Sequence, residues 1–206
     1  MKFFASALVG LMALAGASTL AHAADAPATT NTVILGGGCF WCLEHDFRGL
    51  KGVTKAVSGY SGGTLDKPTY DNYHDVSAKL PVPHVEVAEI TYDTTKLTYD
   101  QVLDWYFKHV DPTDGGGQFC DRGPSYRPVI FYGNDAEKTA AEAKKVDVAK
   151  VLKAKIKVDI LPAKTFWPAE GYHQDYADKN PIKYKFYRWN CGRDQRVKEL
   201  WGALTN

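Results

Sequence analysis

The feature that most constrains the fold of this chain is a strand, a run of glycines and a cysteine in direct succession. Residues 32–35 form a short apolar run typical of a buried strand, and three glycines at 36–38 end it. From Cys39 to Arg48 the apolar residues recur at helical spacing, so Cys39 stands at the predicted start of a helix. Backbone N–H groups and the helix dipole would then face its sulfur and lower the pKa of the thiol. We therefore predict a nucleophilic cysteine; a buried, inert cysteine is the alternative.

The N-terminus has the pattern of a targeting segment. Lys2 provides a positive charge, residues 3–20 are apolar and rich in Ala, Leu and Gly, and Ala21-His22-Ala23 offers the small residues of a cleavage site. The apolar stretch is also long enough for a membrane span, but its small residues favour a removable signal peptide at 1–23. We predict export, with the periplasm as the first expectation, and a flexible leader at 24–31.

The remaining residues, 32–206, mix predicted strands with predicted helices and contain no repeat or linker. This pattern predicts a single α+β domain with a two-layer mixed sheet and packed helices. The long loops at 61–83 and 111–128 are where we expect the functional residues. The elements predicted after the first helix are strands at 53–60, 84–92, 129–132 and 156–161, and helices that begin at the Thr98–Gln101 capping box, at Asn134 and at Asn190.

Charge and cysteine content exclude several classes of function. The 25 basic and 24 acidic residues nearly cancel, so we expect neither nucleic acid nor an anionic membrane as a partner. In an exported protein the four cysteines could form two structural disulfides. Four cysteines are few for a scaffold that depends on disulfides, which favours redox or catalytic use. No second Cys-x-x-Cys follows the first at zinc-ribbon spacing, so we predict no metal site.

Short motifs in a fixed order extend over almost the whole mature chain. They are Gly38-Cys39-Phe40-Trp41, Gly59-Tyr60-Ser61-Gly62-Gly63, Pro68-Thr69-Tyr70, His84-Val85-Glu86-Val87, Tyr92-Asp93, Asp111-Pro112-Thr113, 121–127 (Asp-Arg-Gly-Pro-Ser-Tyr-Arg), Pro168-Ala169-Glu170 and Tyr172-His173-Gln174. Together these segments resemble the motifs of the A-type peptide methionine sulfoxide reductases, whereas a Cys-Phe-Trp match alone would be a weak resemblance.

The resemblance implies a division of labour among these residues. Cys39 would attack the sulfoxide sulfur and become a sulfenic acid, and Glu86 would protonate the departing oxygen. Glu86 shares a strand face with three apolar residues at 88, 90 and 92, so burial should raise the pKa of its carboxyl. Phe40 and Trp41 would form an apolar wall for the S-methyl group of the substrate.

Three polar residues complete the implied site. Tyr126 and a second tyrosine would hold the sulfoxide oxygen through their hydroxyls, and Asp121 would order this network. Relative to the family, the loop before the His-x-Glu motif is extended and carries Val82-Pro83 where Thr-Gly is usual, so the identity of the second tyrosine is ambiguous. Tyr70 fits the Pro-Thr-Tyr side of the motif and is slightly preferred, and Tyr73 is the alternative.

The resolving thiol, which condenses with the sulfenic acid to form a disulfide, is left open by the sequence. Cys191 is preferred because Asn190 is a plausible N-cap and the cysteine then lies at another helix start. Cys42 replaces the usual glycine of the family and could close a local Cys-x-x-Cys disulfide. Cys120, beside Asp121, is the third candidate.

The resemblance also implies a ferredoxin-like core, preference for the S epimer of methionine sulfoxide, free or in proteins, and no metal or organic cofactor. Electrons would come from a thioredoxin-like dithiol donor, and we expect a monomer that does not associate with a membrane after signal removal. Two other readings compete with this one. A thioredoxin-like disulfide oxidoreductase would need only Cys39 and Cys42, and a secreted binding module would contain two structural disulfides.

Overall fold

The computed structural model describes residues 1, 29–77, 79 and 81–202. The predicted signal peptide after residue 1 and most of the predicted leader lie outside the described residues. Strand β1 (Thr30–Gly36) begins two residues before the predicted domain boundary at 32. The Thr94 backbone N–H donates to the Thr29 carbonyl (2.6 Å), so the end of the predicted leader belongs to the sheet.

A six-stranded mixed sheet forms the centre of the fold, with the strand order β7-β6-β1-β3-β2-β8. All neighbouring strands are antiparallel except β6 and β7, which are parallel. The strands after β1 are β2 (Val53–Ser61), β3 (Val85–Asp93), β6 (Val129–Tyr132), β7 (Asp159–Pro162) and β8 (Trp167–Pro168), and a separate small hairpin contains β4 (Gly117–Gln118) and β5 (Asp121–Arg122).

The described helices pack around this sheet and at its ends. They are α1 (Phe40–Arg48), α2 (Tyr99–His109), α3 (Asp135–Leu152), α4 (Tyr176–Lys179), α5 (Pro181–Asn190) and α6 (Arg193–Trp201), with a 3₁₀ turn at Pro124–Tyr126. Within the described ranges, no helix is long and apolar enough to cross a bilayer.

The chain order of the central elements confirms the predicted fold class. The sequence β1-α1-β2-β3-α2-β6 places its four strands side by side in the order β6-β1-β3-β2. This is the split βαβ arrangement of the ferredoxin-like fold. The first crossover, through α1, carries the chain from β1 to β2 and leaves room for β3 between them. As a result, the N-terminus of α1 lies beside the start of β3.

The two faces of the sheet are buried against different partners. On β3, one face carries Val85 and Val87, which pack with Val129 and Phe131 in a small cluster. The opposite face carries Ala88, Ile90 and Tyr92, which join the main core under the helices. Side chains alternate across a strand, so Glu86 points to the same side as that core, as predicted. The main core also takes residues from the helices, including Leu43, Phe47, Val102, Leu103, Tyr106 and Ala141.

The C-terminal region differs from its prediction. Residues predicted as one helix from Asn190 belong to two helices, and Asn190 is the last residue of α5. Gly192 follows with a φ of 68°, a left-handed conformation that interrupts the helical path. Cys191 therefore lies at the end of a helix, and the prediction that a helix start activates its thiol is wrong. The strand predicted at 156–161 is also shorter, since β7 begins at Asp159.

The predicted capping box of α2 is confirmed and supports a first testable prediction. The Thr98 hydroxyl accepts a hydrogen bond from the Gln101 backbone N–H (3.2 Å), and the Gln101 side chain accepts from the Thr98 N–H (2.9 Å). We expect Thr98→Ala to lower the free energy of unfolding by about 1 kcal/mol, measured by urea denaturation. Thr98→Ser keeps the hydroxyl and should lose less than half of that. Equal losses in both variants would contradict the role of the cap.

Candidate active site

Cys39 is the N-cap residue of α1, as the sequence predicts, and its side chain is 6% exposed. The preceding Gly38 has a φ of 80°, and a Cβ there would lie 2.8 Å from Cβ of Gln118 and 3.0 Å from Nη2 of Arg193. Only glycine fits this turn without displacing those neighbours. The Gly38 N–H donates to the Tyr126 carbonyl (3.2 Å), which joins the cysteine loop to the second long loop.

The predicted activation of Cys39 by the helix N-terminus is wrong. Its side chain forms no capping hydrogen bond, and the first free N–H of the helix, that of Phe40, donates to Oε2 of Glu86 (3.0 Å). Burial raises the pKa of the Cys39 thiol well above its usual value, and the neighbouring Cys42 and Glu86 raise it further. A hydrogen bond from Tyr187 acts in the opposite direction and is too weak to reverse the shift. In the resting site Cys39 is therefore a protonated thiol.

Glu86 occupies the buried position that its strand face predicts. Its side chain is 2% exposed, and burial raises the pKa of the carboxyl to about 8, although hydrogen bonds from the Phe40 N–H and from Tyr73 lower it in part. The carboxyl is thus protonated at neutral pH and can give up a proton. Its partner Phe40 is the residue next to Cys39, so the acid and the thiol belong to one pocket.

Tyr73, and not the preferred Tyr70, reaches the acid. The Tyr73 hydroxyl lies 2.9 Å from Oε1 of Glu86, to which it donates, and 3.0 Å from the Tyr126 hydroxyl. Tyr73 is 3% exposed, whereas Tyr70 is 38% exposed and contributes its backbone N–H to Oε1 of Glu170 (2.9 Å). The geometry corrects the preference that the sequence gave to Tyr70. The chain reaches Tyr73 because the segment after the Pro-Thr-Tyr motif turns, with the Tyr73 N–H donating to the Thr69 carbonyl.

An open cavity of about 380 Å³ lies beside these hydroxyls. Tyr70, Tyr73 and Tyr126 contribute to its wall, and the remaining lining residues are His74, Arg122, Gly123, Pro124 and Ser125. The two long loops, in which the sequence predicts the functional residues, thus meet at this cavity. The two aromatic residues proposed as a substrate wall do not line this cavity. Phe40 is buried, and the half-buried Trp41 stacks on Tyr176 with ring centroids 3.7 Å apart.

Asp121 meets a residue that sequence reasoning missed. Its Oδ2 accepts a hydrogen bond from the Tyr187 hydroxyl (2.5 Å), and that hydroxyl also reaches the Cys39 sulfur. Asp121 forms no hydrogen bond to Tyr126 or Glu86 among the described contacts, so its link to the acid is indirect. Tyr187 lies in the Tyr-rich tail, where no motif distinguishes it from its neighbours Tyr184 and Tyr176. Only the packing of α5 against α1 brings it to the nucleophile.

The four cysteines form two pairs. Cys39 and Cys42 are free thiols, buried side by side on α1 and hydrogen-bonded to each other. Cys120, in the turn between β4 and β5, forms a disulfide with Cys191, between α5 and α6. Cys120 is exposed and Cys191 half-buried, so this second pair faces the surface beside Asp121. The sequence allowed all three candidates for a partner of Cys39, and the structure brings Cys42 to it.

Other residues of the predicted motifs hold the loops in place. His84 is buried, with Nε2 2.7 Å from the Leu65 carbonyl and Nδ1 accepting from the Gly63 N–H (3.2 Å). Glu170 accepts from the Tyr60 hydroxyl as well as from the Tyr70 backbone. His173 accepts at Nδ1 from the Trp41 indole N–H (3.1 Å). These motifs were found in the sequence, but their structural roles depend on contacts between distant segments.

A buried dithiol beside a protonated carboxyl, with a disulfide at the adjoining surface, defines a cysteine-dependent redox enzyme. A family model described as peptide methionine sulfoxide reductase matches residues 31–205. The peptide methionine sulfoxide reductase MsrA 2 of Caulobacter vibrioides is 49% identical over 198 residues, which cover 94% of this chain and 98% of that protein. The MsrA 2 of Staphylococcus aureus is 44% identical over 176 residues, covering 84% and 97%. This chain belongs to the peptide methionine sulfoxide reductase family.

Solved structures agree with this assignment. Mxr1 from Saccharomyces cerevisiae in its reduced form has a TM-score of 0.66 and 32% identity, and the match covers 76% of this chain and 88% of that one. Methionine sulfoxide reductase A of Corynebacterium diphtheriae has a TM-score of 0.63 and 29% identity, with 75% and 77% covered. The α+β fold and its mixed sheet are therefore those of the family.

Proposed function

We propose that this chain reduces the S epimer of methionine sulfoxide, free or in proteins, to methionine. The observation that carries this proposal is the buried Glu86 carboxyl, which remains protonated to about pH 8 and shares one pocket with a free cysteine and two tyrosine hydroxyls. Sulfoxide reduction needs this combination, because a sulfur nucleophile must attack while an acid protonates the leaving oxygen. A thioredoxin-like oxidoreductase would leave Glu86, Tyr73 and Tyr126 without a function.

The reaction balances with the groups present. Cys39 sulfur attacks the sulfoxide sulfur and passes its proton to the thiolate form of Cys42, its hydrogen-bonded neighbour, whose pKa is lowered to about 7. Glu86 protonates the sulfoxide oxygen, which moves to Cys39 as the substrate sulfur gains two electrons. The products are methionine and a Cys39 sulfenic acid. The proton on Cys42 can then return the Glu86 carboxylate to its acid form. Tyr73 and Tyr126 hold the oxygen during this transfer.

We assign the first resolving step to Cys42 and not to Cys191, which the sequence preferred. Cys42 is the free thiol beside Cys39, whereas Cys191 is already bonded to Cys120. The resulting Cys39–Cys42 disulfide would be reduced by the Cys120 and Cys191 thiols, which become a disulfide at the surface. Asp121 and Tyr187, which are hydrogen-bonded to each other, lie between the two cysteine pairs. They would help to align the pairs for this thiol–disulfide exchange.

A dithiol donor must reduce the surface disulfide to complete the cycle. The exposure of Cys120 gives such a donor access. Yeast Mxr1 has been solved in complex with Trx2, which supports a thioredoxin-like reductant here.

We further propose that the mature protein is a monomer without metal or organic cofactor, and that Phe40 and Trp41 support the pocket wall. Residues 1–23 are proposed to direct export to the periplasm. The apolar run with its cleavage-like site supports export.

Counting products in a single turnover tests the cysteine sequence. The fully reduced protein, mixed with excess peptide methionine sulfoxide and no reductant, should form about two methionines per chain as two disulfides close. Cys191→Ser should form about one, because Cys39 and Cys42 still complete one cycle. Two methionines from Cys191→Ser would contradict the role of the surface pair, and none from the unchanged chain would contradict the function.

The two tyrosines can be separated by matched substitutions. Tyr73→Phe should lower kcat/KM about 5- to 30-fold, the cost of losing one hydrogen bond of about 1–2 kcal/mol to the reacting oxygen. Tyr70→Phe should change it less than about threefold, since its hydroxyl does not reach Glu86. Steady-state rates with dithiothreitol measure both. A larger loss in Tyr70→Phe than in Tyr73→Phe would restore the original assignment.

A further inference from the structure

Arg193 is a fully buried cation without a carboxylate partner. Its side chain is 2% exposed, and its guanidinium donates to the carbonyls of Gly37 and His109 (2.8 Å each) and lies over the Phe119 ring. Within the described part of the chain, no carboxylate pairs with it. A buried guanidinium is costly unless a nearby anion compensates its charge. Its positive charge therefore acts on the ionisable groups around Gly37, which lies two residues before Cys39.

The carboxyl groups near Arg193 either bind another arginine or are protonated. Asp46 is buried, but its Oδ1 accepts from Arg188 (2.7 Å). Arg188 also binds Asp194, which lies at the surface. Glu86 is protonated at neutral pH because its pKa is raised to about 8. Asp46 and Asp194 thus both bind Arg188, and neither forms a direct pair with Arg193.

Cys42 is a buried ionisable group on which the charge of Arg193 acts. It is 1% exposed and surrounded by neutral or positive groups apart from Asp46. Burial raises the pKa values of Tyr184 and Tyr187, so both stay neutral. Cys39 also keeps its proton and donates a hydrogen bond to Cys42. The ionisable and charged groups that face Cys42 are Cys39 and Asp46 on α1, Glu86 on β3, Tyr184, Tyr187 and Arg188 on α5, and Arg193 on α6.

We propose that Arg193 is a positioning residue that keeps the Cys42 thiol ionised and so prepares it to attack the Cys39 sulfenic acid. The inference rests on the proposed role of Cys42 as the resolving thiol. In that step the Cys42 thiolate attacks the sulfur of the sulfenic acid, the S–S bond forms, and the S–O bond breaks. Hydroxide leaves and takes a proton to become water, so no external oxidant or reductant is needed.

The hydrogen bond from Cys39 contributes most to the lowered pKa of Cys42, which is about 7, and Arg193 and Arg188 add to it. The experiment must therefore keep a hydrogen-bond donor at position 39. Replacing Cys39 by Ser leaves a hydroxyl that can donate in place of the thiol, and it makes Cys42 the only free cysteine while Cys120 and Cys191 stay bonded. The thiolate absorbance of Cys42 can then be followed against pH without a contribution from another free thiol.

In the Cys39→Ser chain, we expect the Cys42 thiolate to appear with a midpoint near neutral pH. Adding Arg193→Gln should raise this midpoint by at least about one pH unit, a tenfold change in the ionisation constant. Arg193→Lys should keep it within about half a unit, because the charge remains. Lys198→Gln, which removes an exposed charge from the same helix, is the matched control and should leave the midpoint unchanged.

A midpoint unchanged by Arg193→Gln in a folded protein would overturn the proposal. If that variant does not fold, the Cys39→Ser chain alone still decides, since a Cys42 midpoint above about pH 9 would equally overturn it. In the chain with Cys39 intact, Arg193→Gln should accumulate, once its first methionine has formed, a sulfenic acid that a dione reagent traps. If the dione reagent traps no sulfenic acid in Cys42→Ser, that result would instead contradict the resolving role of Cys42, whatever the titration shows.

Discussion

Cys39→Ser is expected to lower kcat/KM for a methionine sulfoxide peptide by at least about 1,000-fold. The hydroxyl of serine is a far weaker nucleophile than sulfur and cannot form a sulfenic acid, so the covalent route is lost. The fold should persist, because Cys39 is a helix N-cap without a capping hydrogen bond and serine is favourable there. Steady-state turnover with dithiothreitol measures the loss, and thermal unfolding checks the fold. Residual activity above about 10% would show that another thiol is the nucleophile.

Glu86→Gln is the second large effect, with an expected loss of about 100- to 10,000-fold in kcat/KM. The amide preserves the shape of the side chain and its contact with the Phe40 N–H, but it has no proton to give to the sulfoxide oxygen. The acid acts in its protonated form, and its pKa is raised to about 8. For the unchanged enzyme, activity that depends on Glu86 should therefore fall about tenfold per pH unit above pH 8. The variant should lose this alkaline limb.

Glu89→Gln is the matched control for that experiment. Glu89 lies three residues further along β3, on the opposite face, and is only half-buried. Its substitution should leave both the rate and the pH profile unchanged within about twofold. Similar losses in Glu86→Gln and Glu89→Gln would indicate a general disturbance of the strand. An intact alkaline limb in Glu86→Gln would assign the proton donor to another group.

The sequence predicted well those features that depend on neighbouring residues. The strand, glycine and helix succession around Cys39, the capping box at Thr98 and the buried face of Glu86 each follow from local spacing, and the structure confirms them. The ferredoxin-like core came from the family resemblance, not from local spacing. Its strand order depends on pairing between distant segments.

The incorrect predictions have a common physical origin in long-range packing. The helix start at Cys39 predicted a lowered thiol pKa, but the Glu86 carboxyl takes the first helix N–H and burial raises the pKa instead. Tyr70 and Tyr73 each fit one side of the motif, with a slight preference for Tyr70, and only the fold of the loop decides which hydroxyl is buried. Gly192 divides the predicted terminal helix, which places Cys191 beside Cys120.

The most direct test of the central claim is turnover of the separated S and R epimers of a methionine sulfoxide peptide, with dithiothreitol as the electron donor. The wild-type protein should convert the S epimer to methionine and leave the R epimer unchanged, because Cys39, Glu86 and the two tyrosines fix one orientation of the sulfur and its oxygen. Reduction of the R epimer, or of neither, would contradict the proposed function.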